Sequence, residues 1–126
     1  MANENLLLCD SFTVSGNNLS ASSDQFIFAK AGATSPEVVQ ACAGDPTLGI
    51  TQETGKDAAA VNVGLAGISK LRLGGTVKHG NYIKSHTNGT GVLYTGVGHY
   101  GAKALRDGES GDVIDVLITT GFSSGS

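Results

Sequence analysis

The stretch Gly96-Val97-Gly98-His99-Tyr100-Gly101 has the residue types and spacing of a cofactor site. It matches G-x-G-x-x-G, follows the β-prone run 92–95, and has Asp115 about 20 residues on, where a dinucleotide-binding unit keeps its ribose-binding acid. That chemistry needs a helix starting at the third glycine, because pyrophosphate is held by free N–H groups at a helix N-terminus. Only residues 102–106 are available before Gly108 and Gly111 interrupt, and Asp115 falls inside a strand-like run rather than at its end. Residues 116–126 are too few to add further parallel strands. A dinucleotide-binding protein using Gly96–Gly101 is therefore the enzyme-class alternative and the less favoured one; no cofactor is expected.

Other candidate chemistries fail sooner. Gly49 to Lys56 resembles a phosphate loop but has five residues between its glycines instead of four, and Asp57 replaces the magnesium-binding Ser or Thr. His79, His86 and His99 sit in three separate turn-like places without acidic or thiol neighbours at ligand spacing, so they read as surface histidines. There is no G-x-S-x-G elbow and no nameable nucleophile–base pair. Cys9 and Cys42 belong to no C-x-x-C or Cys/His cluster, so zinc has no support and two free, buried thiols are expected. Neither a catalytic residue nor a metal ligand is assigned.

The composition points the same way. A chain of 126 residues fits one domain, and its 15% charged residues fall below the usual share of about 25%. The 19 glycines are spread along the chain, which implies many tight turns rather than one flexible linker. A net charge of −3 argues against a nucleic-acid partner, which needs a basic face to displace counterions. No apolar run approaches the ~20 residues of a membrane span. The start Met1-Ala2-Asn3-Glu4-Asn5 lacks the basic and apolar segments of a signal peptide, so synthesis in a host cytoplasm is expected.

Residues 1–24 read as an N-terminal arm, with an apolar run Leu6-Leu7-Leu8 continued by Phe12 and Val14 ahead of a Gly/Asn/Ser-rich hinge. Such an arm either packs back as an edge strand or adds a strand to a neighbour; Leu6, Leu7, Leu8 and Phe12 are the residues expected to contact that neighbour. Residues 25–126 form the main domain. Short β-prone pieces are expected at 25–29, 37–42, 47–51, 61–65, 68–73, 82–84, 92–95, 102–105 and 112–119, each bounded by Gly, Asn or Asp. That spacing predicts an all-β fold, a small barrel or sandwich of short antiparallel strands. Lys56–Ala60 and Tyr100–Arg106 are the only helix candidates, and the second reads equally well as a strand. One internal echo is present: 48–51, a turn, then a strand to Leu65 parallels 101–105, a turn, then a strand to Ile118.

Two segments carry a resemblance. Gly74-Gly75-Thr76-Val77-Lys78-His79-Gly80-Asn81-Tyr82-Ile83 followed by Gly89-Thr90-Gly91-Val92, and Gly101-Ala102-Lys103-Ala104-Leu105 with Ser110-Gly111-Asp112-Val113-Ile114-Asp115-Val116-Leu117-Ile118, are similar to the V-x-x-G-D and G-D-x-V-x-V-x-L steps of tailed-bacteriophage head decoration (cement) proteins. Leu48-Gly49-Ile50 resembles an earlier strand of that pattern. The match spans roughly residues 37–119 and departs at Asn81, where the family has Asp, and at His86 to Asn88, which loosen a D-x-x-G turn. The resemblance implies a β-barrel or β-tulip module that binds the outside of an assembled head, with the major capsid protein as partner and a homotrimer on the lattice. The alternative outside that family is another non-enzymatic β-barrel binding module, a virion component or an adhesin-like domain.

Overall fold

The computed structural model describes residues 5–14, 19, 24–32, 37–56 and 59–124. In chain order the strands are β1 (Asn5–Val14), β2 (Phe28–Ala31), β3 (Glu37–Gln40), β4 (Gly49–Thr51), β5 (Ala60–Arg72), β6 (Tyr82–Ser85), β7 (Gly91–Leu93), β8 (Val97–Ala104) and β9 (Val113–Ser124). No α-helix occurs among the described residues. Tyr100–Arg106 is strand and turn, while Lys56–Ala60 lies partly outside the described residues.

The sheet order β1-β3-β2-β4-β5-β9-β8-β6-β7, with an extra β1–β5 pairing, resolves into two five-stranded rings that share β5. The first ring runs β1-β3-β2-β4-β5 and closes through the antiparallel β1–β5 ladder. The second runs β5-β9-β8-β6-β7 and closes through one bridge, Leu73 to Gly91. An odd number of strands cannot alternate direction all the way round a closed ring, so each ring must contain a parallel contact. It is β1–β3 in the first ring and Leu73–Gly91 in the second, and every other pairing is antiparallel. Mapping β1 through β5 onto β5 through β9 superposes the two connectivities strand for strand. The echo between 48–65 and 101–118 falls on equivalent hairpins, β4–β5 and β8–β9.

β5 is long because period-two alternation runs along both of its ends, either side of a small-residue middle at Gly64, Ala66 and Gly67. Val61, Val63, Ser69 and Leu71 are buried, whereas Asn62, Ile68, Lys70 and Arg72 are partly or fully exposed. The expected gap near Gly67 is a bend: Gly67 has φ of 99° at the point where β5 leaves β4 and takes up β9. A side chain would resist that backbone, and glycine does not.

Each ring has its own core. Val14, Leu19, Ile27, Ala29, Val38, Val61 and Val63 fill the first. Leu71, Leu73, Val77, Ile83, Ala102, Ala104, Ile114, Val116 and Ile118 fill the second, which Phe28, Ala41 and Ile50 complete from the first ring's wall. Alternation from Ile27 into β2 explains the sharing, since Ile27 and Ala29 face one core and Phe28 the other. Residues 1–24, expected as an arm, supply β1 and the buried Val14 and Leu19 to the first ring. Phe26, at φ 63°, stitches the rings together by donating its N–H to Thr51 O (2.9 Å) and accepting from Arg72 N (2.7 Å).

Candidate interaction surface

The G-x-G-x-x-G stretch lies on β8 and its lead-in, antiparallel to β9, with Gly96 and Gly98 at φ of 96° and 93°. Its N–H groups serve a sheet ladder instead of gathering at a helix N-terminus, and Asp115 faces Lys70 across β5–β9. The dinucleotide reading therefore loses the geometry it requires. His79 and His86 are exposed in turns, and His99 stacks on Phe122 at 4.8 Å. Cys42 is free, as expected, but exposed instead of buried, because it opens the turn after β3. No cluster of three or more His, Cys, Asp or Glu able to hold a metal occurs among the described residues. A shallow apolar hollow of about 230 Å³, lined by Lys30, Ala31, Pro46, Thr47 and Leu48, is smaller than the ~300–1,000 Å³ usual for ligand pockets.

The segments that carry the decoration-protein pattern fold into one repeated device. In Lys78-His79-Gly80-Asn81, the N–H of Asn81 donates to Lys78 O (3.0 Å) and Asn81 Oδ1 accepts from the N–H of Lys78 (3.0 Å). Glu109-Ser110-Gly111-Asp112 repeats both bonds at 3.0 and 2.9 Å, and Cys42-Ala43-Gly44-Asp45 repeats them at 3.2 and 2.9 Å. Gly80, Gly111 and Gly44 sit at φ of 89°, 92° and 75°, the third position of a type II turn. The role of the fourth residue is to accept a hydrogen bond, which asparagine performs as well as aspartate, so the departure at Asn81 leaves the turn intact. Sequence reasoning noticed the motif within 74–83 and 110–118 and missed its third copy; the signal was the recurring x-x-Gly-Asp/Asn.

Two of these turns are braced electrostatically. Asp45 also takes the Lys30 ammonium at 2.7 Å; that bond, then the Cys42 N–H, holds its carboxyl below the usual range and pushes Lys30 up. The backbone N–H and ring of His79 lie at 2.8 and 3.3 Å from Asp107 Oδ1 and lower its pKa in that order.

The outer side of the second ring carries the tyrosine side chains. Tyr82, Tyr94 and Tyr100, all the tyrosines in the chain, form one cluster: Tyr100 lies 4.7 Å from Tyr82 and 5.1 Å from Tyr94 between ring centroids. Tyr94 donates its hydroxyl to Gly98 O at 3.1 Å. Tyr100 rests directly on its cross-strand partner Gly121, where a Cβ would run into the ring. Phe122 is 64% exposed and ends this hairpin.

The arm residues are placed by the backbone. β1 pairs with β5 of the same chain from Asn5 to Thr13, with register shifts around Leu8, and meets β3 only at Thr13 and Val14. The backbone edge of β1 opposite β5 is thus unpaired over residues 5–12 among the described residues. Phe12 is half-buried against the first core. The side chains of Leu6, Leu7 and Leu8 lie outside the described set.

Fold and surface together define an all-β scaffold of two fused five-stranded rings, whose distinctive outward features are contact features. The chain matches no protein-family profile and no curated protein sequence. Among solved structures it is similar to the N base of the head fiber gp8.5 of bacteriophage phi29, with a TM-score of 0.69 and 14% identity over 89% of this chain and 95% of that one. The two proteins share a fold across nearly their whole lengths.

Proposed function

We propose that this chain is a structural component of a phage virion that docks on the outside of the assembled head and braces the lattice of major capsid protein. The observation that carries the reading is the shared fold with a phage head fiber base, matched over 89% of this chain. The β-barrel form expected from the decoration-protein resemblance agrees with it. In this reading β1 is part of the attachment: its edge over residues 5–12 can accept an extended strand of a neighbour, and Leu6, Leu7, Leu8 and Phe12 supply apolar contact. A homotrimer at a local symmetry axis is the arrangement proposed on the head. A protein that binds only the assembled shell stabilises it by mass action, by about 2.7 kcal/mol per site at a hundred times Kd. Many copies multiply that gain without any catalytic residue.

Co-sedimentation tests this directly. The purified chain pellets with assembled heads and stays in the supernatant with free capsid subunits; pelleting with neither ends the proposal. A second reading follows from the name of the similar structure: the module serves as the base of a surface projection. Heads assembled without the chain then lose a visible projection, whereas loss of resistance to heat or osmotic shock marks the bracing role.

A further inference from the structure

The second ring exposes a face whose charge contradicts that of the whole protein. On β5 the outward positions are Ile68, Lys70 and Arg72; on β9 they are Val113, Asp115 and Leu117, and on β8 and β6 Lys103, Tyr82 and Lys84. Cross-strand register ties them into one surface, because Lys70 opposes Asp115, Arg72 opposes Val113, and Lys103 lies between Leu117 and Tyr82. Arg106, just past β8, reaches the same place, with its Nε 3.6 Å from Asp115. Lys70, Arg72, Lys84, Lys103 and Arg106 are five of the eight Lys and Arg residues, in a chain whose net charge is −3.

Compensation within the face is sparse. Asp115 is its one carboxylate, held between Lys70 at 3.6 Å and Arg106 at 3.6 Å. The Nε of Arg72 is buried without a hydrogen-bond partner among the described residues. The Lys103 ammonium stands 5.6 Å from the centre of the Tyr82 ring, a cation–π contact that leaves its charge uncancelled. Interleaved with these cations are partly exposed apolar side chains: Tyr82, Leu105, Val113 and Leu117, between 37 and 41% accessible. Like charges gathered on one sheet face repel one another unless an opposite field meets them.

We infer that this face is a docking surface for an acidic protein surface, one that presents carboxylates between apolar side chains. The inference rests on the proposed head-binding role and assigns it to the β5–β9–β8–β6 face. Alternating cations and apolar groups match the make-up of protein interfaces, where Tyr and Arg supply anchors and apolar atoms bury area. A nucleic acid offers phosphates to the cations but little for Val113, Leu117 and Leu105 to bury against. Continuity supports the same assignment: Leu117 opposes Ile68, which in turn opposes Asn5, so the face runs into the start of β1.

The test uses the full chain and heads assembled without it. The double reversal Lys103→Glu/Arg106→Glu changes surface charge without touching the core. It lowers affinity for heads by roughly tenfold or more, while binding of the unaltered chain weakens as salt rises. Lys56→Glu, an exposed cation in the first ring, leaves affinity unchanged. If the reversal disturbs the melting temperature, Lys103→Gln/Arg106→Gln replaces it and shows a smaller loss in the same direction. Unchanged head binding by both double variants overturns the inference and leaves the head-binding role standing. Failure of the unaltered chain to bind heads removes that role and the inference with it. Duplex DNA and phosphatidylserine vesicles form the remaining arms: binding to either that the reversal abolishes, with head binding untouched, reassigns the face and overturns the acidic-protein partner.

Discussion

Replacing Gly80 with alanine separates two effects that usually come mixed. A Cβ built on Gly80 meets nothing within 4 Å, so no packing is gained or lost. What remains is backbone: φ is 89°, a conformation that costs an L-residue with a side chain about 1–2 kcal/mol. Working against it, alanine lowers the entropy of the unfolded chain, which at a compatible position stabilises by about 0.4–1 kcal/mol. The sign of the measured change therefore reports the turn geometry. Gly44 and Gly111 have the same positive φ and the same empty surroundings, giving two repeats of the experiment at separate places. Each single variant should lose about 1 kcal/mol net, or roughly 3–5 °C in Tm for a chain of this size. The three should add within about 0.5 kcal/mol, since separate turns share no partners. Denaturant titration and calorimetry measure this. A neutral or stabilising Gly80→Ala would mean that the turn is not left-handed at its third residue, and the account of the x-x-Gly-Asp/Asn device would fail. Asn81→Asp retains the acceptor and should leave stability within about 0.5 kcal/mol, whereas Asn81→Ala strands the Lys78 N–H bond and costs about 0.5–1.5 kcal/mol.

Other perturbations probe the rest of the scaffold. Gly121→Ala forces the Tyr100 ring off its seat, which should cost about 1–3 kcal/mol and reduce the near-UV circular dichroism of the tyrosine cluster; an unchanged spectrum would refute the stacking. Leu71→Ala empties a fully buried position in the second core and should cost about 2–5 kcal/mol by urea unfolding, against under 0.5 kcal/mol for the exposed Thr76→Ala. The carboxyl of Asp45 is depressed below 3.8 in the folded protein, so its contribution to stability is fully present above that value. It is lost as pH falls through the lower, folded value, and Asp45→Asn should flatten that acid limb in a plot of unfolding midpoint against pH.

Local rules reached the strands and stopped at their closure. Alternation exposed β5 on both sides of Gly67, yet a glycine inside a strand pattern reads as a break unless one knows that the chain changes partners there. Tyr100–Arg106 was ambiguous because Ala102, Lys103 and Ala104 suit either state; cross-strand contacts with β6 and β9 decided for strand. The parallel β1–β3 contact and the Leu73–Gly91 bridge join residues distant in sequence, and no local propensity encodes them. The candidate surface suffered the same limit. Net charge described the whole chain, whereas the clustering of Lys70, Lys103 and Arg106 appears only when β5, β9 and β8 are laid side by side.

The shared topology of the two rings sharpens the meaning of that cluster. Both rings impose the same demands on their strands: inward apolar residues, tight glycine turns and one parallel closure. These demands leave the outward positions of each ring free to differ. In the first ring the exposed residues of β5 are Ala60 and Asn62, and Lys30 on β2 is matched by Asp45. In the second, β5 turns outward with Lys70 and Arg72, and β8 adds Lys103 with a single acid, Asp115, to share among them. Folding explains what the halves have in common but supplies no reason for the second to concentrate cations. Repulsion among them opposes folding, and the proposed docking on an acidic surface supplies the reason that folding does not. Charge reversal at Lys103, whose ammonium meets the Tyr82 ring and not Asp115, should accordingly leave the melting temperature unchanged or raise it slightly while weakening attachment, the opposite pairing from that expected of a core substitution. A Lys103→Glu variant whose stability and binding fell together would return that cation to the scaffold.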